Sequence, residues 1–115
     1  MTMPDIYKIC DATLWRESQR LGTFRGSAED LRDGFNHFST AAQVAETAAK
    51  HFSGMAGLLL MHVDADRLGP ALKWETSRGG ALFPHLYGDL PLAAVLRVEP
   101  LPLADGRHAF PSLAD

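Results

Sequence analysis

The chain of 115 residues is long enough for one domain, residues 1–115, whose core needs no staple. Its 46% hydrophobic and 22% charged residues exclude a disordered segment, and a net charge of -3 without any run of Lys or Arg speaks against nucleic acid as a partner. The one cysteine, Cys10, rules out an internal disulfide or a thiol cluster; with no leader-like start and no apolar run long enough for a bilayer, a cytoplasmic protein without membrane contact is expected.

Residues 6–10 mix β-branched and aromatic groups with polar ones, which predicts a strand. Asp11 suits the cap of a helix over 12–20, with Leu14, Trp15 and Leu21 as its apolar stripe and Gly22 as its stop. Residues 23–25 suit a short edge strand. Residues 27–32 suit a helical turn that Asp33 and Gly34 close. Residues 35–39 predict a strand in which Phe35, His37 and Ser39 share one side. Thr40 and Gln43 have the spacing of a capping box, Thr40 accepting from the Gln43 backbone and Gln43 reaching back. The helix it opens runs to about residue 52, with Val44, Ala48 and Phe52 on its buried stripe.

Residues 58–64 are nearly all apolar, as a central strand covered on both faces requires. A turn at 64–70 leads to a strand at 71–75 and then a loop at 76–81, where Gly79 and Gly80 give backbone freedom. Residues 82–87 are extended, and Pro84 favours an edge or a bulge. A helical turn at 91–94 precedes a strand at 95–99, with Pro100 and Pro102 at its exit. Asp105 and Gly106 predict a turn that lets residues 107–110 pair back. About six strands with two main helices, both early, predict an α+β fold rather than a repeating strand-helix alternation.

Two stretches, 33–44 and 74–88, are expected to meet and form a pocket. His37 is either a ligand-binding donor or general base, or a core histidine satisfied by a carbonyl. His85 and Tyr87, two apart on an extended segment, form either a cleft wall or the decoration of a sheet edge. Arg78 beside Gly79 and Gly80 is either a planar fork for phosphate or carboxylate, or a solvated loop cation. Glu75 is the carboxylate partner of His37 or His85, a ribose-holding acid, or half of a surface ion pair with Lys73 or Arg78. The five histidines lack metal-ligand spacing, so no metal is expected; the one arrangement open to a metal joins His37 and His85. Cys10 reads as packing, His51 and His62 as structural, and His108 as exposed near the tail.

Tyr7-Lys8, Asp33-Gly34-Phe35 with His37-Phe38-Ser39-Thr40, His51-Phe52, Leu72-Lys73-Trp74-Glu75 and Phe83-Pro84-His85-Leu86-Tyr87-Gly88 fall in order along nearly the whole chain. Together they resemble the family of short bacterial proteins called domain of unknown function 952, whose activity is not established. More distantly, the unit of strand, His37-Phe38-Ser39, helix, apolar strand and Asp64-Ala65 resembles the ADP-ribosyltransferase-like fold, most of all its RNA 2'-phosphotransferase branch. That resemblance implies a split, curved sheet, antiparallel or mixed, with two main helices and an NAD-binding cleft. Tyr7, His37, Ser39 and the segment from His85 to Tyr87 would line it. Many members of that fold present a glutamate on a late strand; this chain presents His85, with Glu75 one strand earlier.

The expected protein is an enzyme acting on NAD or another nucleotide-like, phosphate-bearing small molecule. Its catalytic candidates are His37, His85 and Glu75. Its ligand-binding candidates are Tyr7, Ser39, Thr40, Arg78, Gly79, Gly80 and Tyr87. The alternative is a non-catalytic ligand-binding or protein-interaction module on the same fold. A monomer or weak homodimer is expected.

Overall fold

The computed structural model describes residues 3–113. In chain order its strands are β1 (Ile6–Asp11), β2 (Thr23–Phe24), β3 (Asn36–His37), β4 (Leu58–Val63), β5 (Leu72–Thr76), β6 (Leu82–Leu86), β7 (Leu90–Pro91), β8 (Val95–Leu101), β9 (Leu103–Ala104) and β10 (Arg107–His108). The helices are α1 (Ala12–Leu21), α2 (Ala28–Asp33) and α3 (Val44–His51). The fold is α+β. The strands form two three-stranded sheets, β1-β4-β8 and β3-β6-β5, and two hairpin-sized pairs, β2-β7 and β9-β10. Every pairing is antiparallel.

The apolar run at 58–63 becomes β4, the middle strand of its sheet, because both of its faces are covered. Met61 and Val63 join Ile6 and Cys10 of β1 in one core cluster, with Phe24, Phe38 and Leu86. Leu58 and Leu60 join Tyr7 and Ile9 in the other, under Val44 and Ala48 of α3. Alternation along β1 thus separates odd from even positions, and Lys8 falls on the side of Ile6 and Cys10.

Three helices form rather than the two expected. α2 is a helix in its own right because both ends are closed. Ser27 and Asp30 complete a capping box, and Gly34 takes the left-handed conformation at φ 87°. α1 is bounded as its sequence predicts: Asp11 accepts from the Thr13 N–H, and Gly22 ends it at φ 84°.

Two expectations shift at the centre of the chain. The strand predicted over 35–39 is only Asn36–His37; Ser39 leaves it and pairs with Tyr7 instead, N–H to carbonyl in both directions at 2.8 Å. The cause is Pro84. β6 lies in the middle of its sheet, not at an edge, but a strand residue directs its N–H and C=O to the same side. The Pro84 carbonyl accepts from the Phe38 N–H at 3.0 Å, and Pro84 has no N–H to continue the ladder. The segment therefore crosses to β1 and ties the two large sheets together. Likewise, only half of the Thr40 capping box forms. Gln43 itself is the N-cap of α3; its Oε1 accepts the Thr40 N–H at 3.0 Å and its Nε2 donates to the Leu82 carbonyl at 2.8 Å. No helix among the described residues is long and apolar enough to cross a membrane.

Candidate functional site

The stretches around His37 and Glu75–Tyr87 meet. His37 pairs with His85 and Asn36 with Leu86 across β3 and β6, and β5 continues the sheet with Lys73 opposite His85. Beside this sheet lies a cavity of about 410 Å³, walled by Tyr7–Asp11 of β1, the start of α2, Phe38 and Ser39, one face of α3, and Ser77, Phe83 and His85. Most of its wall is apolar, with a few convergent polar groups, as ligand pockets generally are.

The first polar group is built on Asp30, which is 3% exposed. Its Oδ1 lies 2.6 Å from His37 Nδ1 and accepts the His37 backbone N–H at 3.0 Å. Its Oδ2 accepts the Ser27 N–H at 2.8 Å and meets Lys8 Nζ at 2.8 Å. Lys8 also donates to the His37 carbonyl at 2.7 Å and rests over the Phe38 ring. Burial pushes the Asp30 carboxyl up, but the His37 hydrogen bond and the Lys8 charge outweigh it and hold the group well below the usual carboxylate range. Burial lowers the Lys8 ammonium against the opposing pull of Asp30. Because ionised Asp30 is acceptor-only, His37 Nδ1 must carry its proton toward it.

The second group is built on Glu75. Its Oε1 takes both His85 Nδ1 at 2.8 Å and the Tyr87 hydroxyl at 2.8 Å. The His85 bond, then the Tyr87 bond, lower the Glu75 carboxyl, and the Glu75 bond raises the Tyr87 phenol. His85 Nδ1 therefore carries a proton, and in the neutral ring Nε2 is the lone-pair atom. Phe35 joins the two groups: its ring lies 4.5 Å from His37, 4.2 Å from His85 and 5.2 Å from Tyr87, centroid to centroid.

Tyr7, His37, Ser39 and His85 thus line the cavity. Glu75 and Tyr87 stand behind His85, so Glu75 is the partner of His85, and Tyr87 packs on Phe35 rather than over the cavity. Thr40 is used at the start of α3. Gly79 and Gly80 have positive φ (76° and 80°), as the tight turn there requires, and do not line the cavity. The Arg78 side chain lies outside the described residues. Ser39 turns to α3, where its hydroxyl meets that of Thr47 at 2.8 Å. His51 lines the cavity. His62 pairs with Glu99, and His108 is half-buried rather than exposed, its Nε2 2.8 Å from the Met55 carbonyl. Cys10 also lines the cavity, but burial pushes its thiol up to about 12.

Lys8, Asp30 and Thr47 are among the polar wall residues that the sequence reading misses. Two signals were present. Lys8 is a lone charge inside an otherwise apolar strand, and Ser27-Ala28-Glu29-Asp30 has the capping-box spacing.

Fold and site define an α+β protein with a cleft on which two carboxylate-held histidines converge. Residues 9–98 match the family described as protein of unknown function (DUF952), and the chain belongs to that family. The crystal structure of protein CC0527 from Caulobacter crescentus is similar at 51% identity and a TM-score of 0.88, covering 91% of this chain and 93% of that one. The solution structure of CC0527 is similar at 49% identity and a TM-score of 0.82, covering 92% of this chain and 91% of that one. No curated protein matches the chain.

Proposed function

We propose that the cleft is an acid–base site acting on a nucleotide-like, phosphate-bearing small molecule of the NAD class, carried on an ADP-ribosyltransferase-like fold. The observation that supports this most is His85: it lies on the cavity wall, its Nδ1 is held by Glu75, and it stands opposite His37 in the strand pairing. A histidine oriented by a carboxylate, with the far nitrogen as its lone-pair atom, is the arrangement of a general base. The order β3, α3, β4, with His37 and Ser39 ahead of α3, supports that reading of the fold. In this reading the apolar wall receives a flat ring, the hydroxyls of Ser39 and Thr47 hydrogen-bond a ribose, and His85 acts on the reacting centre. Glu75 orients His85 through Oε1 and stands outside the cavity wall, so in this reading it is not the ribose-holding acid.

That commitment of Glu75 favours a second reading, a binding module that keeps the cleft without turnover. Incubation with NAD and ADP-ribose, followed by chromatography of the products, separates the two. Turnover that disappears in His85→Ala supports the first reading. Saturable binding without turnover supports the second, and neither binding nor turnover removes the nucleotide class altogether.

A further inference from the structure

We propose that Glu29, Asp33 and His37 hold a divalent first-row cation at the rim of the cleft, with coordination positions left open toward its ligand. Glu29 and Asp33 lie one turn apart on α2, so their side chains share a face. Gly34 then reverses the chain, and β3 returns His37 to that face. One ligand atom from each residue falls in a group with no separation above 4.8 Å. All three side chains are reachable from solvent, with relative exposures of 53% for Glu29, 33% for Asp33 and 36% for His37.

A residue outside this trio orients the histidine. Asp30, almost fully buried, holds the His37 Nδ1 proton, and Lys8 and the Ser27 N–H hold Asp30 in turn. Metal-binding histidines are characteristically held this way, with the remote N–H on a carboxylate. The neutral ring then has only a lone pair at Nε2. Yet Nε2 lies 3.1 Å from Asp33 Oδ2, which is also a lone-pair atom. Two acceptors that close require positive charge between them, either a second ring proton or a cation. Arg32 does not supply it: its guanidinium takes the other Asp33 oxygen, Oδ1, at 3.3 Å and lies 3.8 Å from Glu29. One imidazole nitrogen with two carboxylates is a donor set for ions such as Zn²⁺ or Mn²⁺, and three protein ligands is the number that an open site keeps. The inference goes beyond the nucleotide reading and deepens it, because such an ion would let an acidic rim meet a phosphate.

The test uses the ions alone, so it stands or falls apart from any nucleotide. Full-length, chelator-treated, ¹⁵N-labelled protein is titrated with Zn²⁺ by calorimetry and with Mn²⁺ by NMR. The site predicts one Zn²⁺ per chain, a shift of the His37 Nε2 resonance without one at His85, and Mn²⁺ broadening centred on residues 29–37. Glu29→Gln and Asp33→Asn alter solvent-reachable side chains and leave Asp30 intact, so the fold persists; each is expected to weaken Zn²⁺ by about tenfold or more. The proposal is overturned by the absence of saturable binding, by broadening centred elsewhere, or by a His37 ring that keeps protons on both nitrogens in the presence of Zn²⁺.

Discussion

His37 and His85 face each other across the β3–β6 pair with ring centroids 5.6 Å apart, and each has its Nδ1 on a different carboxylate, Asp30 for one and Glu75 for the other. The two supports differ physically: Asp30 is almost fully buried and ion-paired, whereas Glu75 is at the surface. Their removal should therefore have different consequences.

Asp30→Ala leaves the Lys8 charge buried with only the His37 carbonyl beside it, and is expected to destabilise by about 3–5 kcal/mol. Lys8→Met is expected to cost less, because Asp30 keeps the His37 ring, the His37 N–H and the Ser27 N–H. Urea denaturation of both variants measures the order; equal losses would contradict it.

Glu75→Ala should leave stability nearly unchanged and alter the His85 ring instead. Without the carboxylate, the proton is no longer held on Nδ1, and the Nε2–H tautomer should gain population. Long-range ¹H–¹⁵N spectra of the imidazole report this directly. An unchanged tautomer would mean that Glu75 does not orient the ring.

The pH dependence follows from Asp30. Its folded value is depressed, so the unfolded chain binds the proton more readily, and the resulting stability is present above the unfolded value of about 3.9. It is lost as pH falls below that value toward the folded one. Stability measured from pH 6 downward should fall more steeply below about pH 4 in the parent than in Asp30→Asn, in which this titration is absent. Parallel curves would rule Asp30 out as the source.

Cys10 is buried with its thiol 3.5 Å from the Met61 sulfur and its ionisation pushed up to about 12 by burial. A thiol-specific disulfide reagent at neutral pH should react with it far more slowly in the folded protein than in urea, since the thiolate is the nucleophile. Equal rates would place Cys10 in an open position.

The β-branched and aromatic residues at 6–10 and the nearly all-apolar run at 58–64 are sufficient to define β1 and β4, because burial on one or both faces imprints directly on composition. Asp11 and Gly22 mark α1 for the same local reason. What escapes a residue-by-residue reading is non-local. Nothing near Ser39 in the sequence says that Pro84 will end its ladder and send it to Tyr7. Thr40 and Gln43 have the right spacing, but Gln43 is drawn to the Leu82 carbonyl across the fold. The pairing of His37 with His85 makes the meeting of their two stretches readable from motifs. The Lys8–Asp30 pair behind His37 spans 22 residues of chain and is expressed only as one charge out of place in a strand.

The most direct test of the nucleotide-cleft reading is an NMR titration of the labelled protein with NAD, ADP-ribose and AMP. The reading predicts saturable amide shifts confined to Lys8, residues 37–40 and residues 77–87. An unchanged spectrum at millimolar ligand, or shifts centred on the tail at residues 101–113, would contradict it.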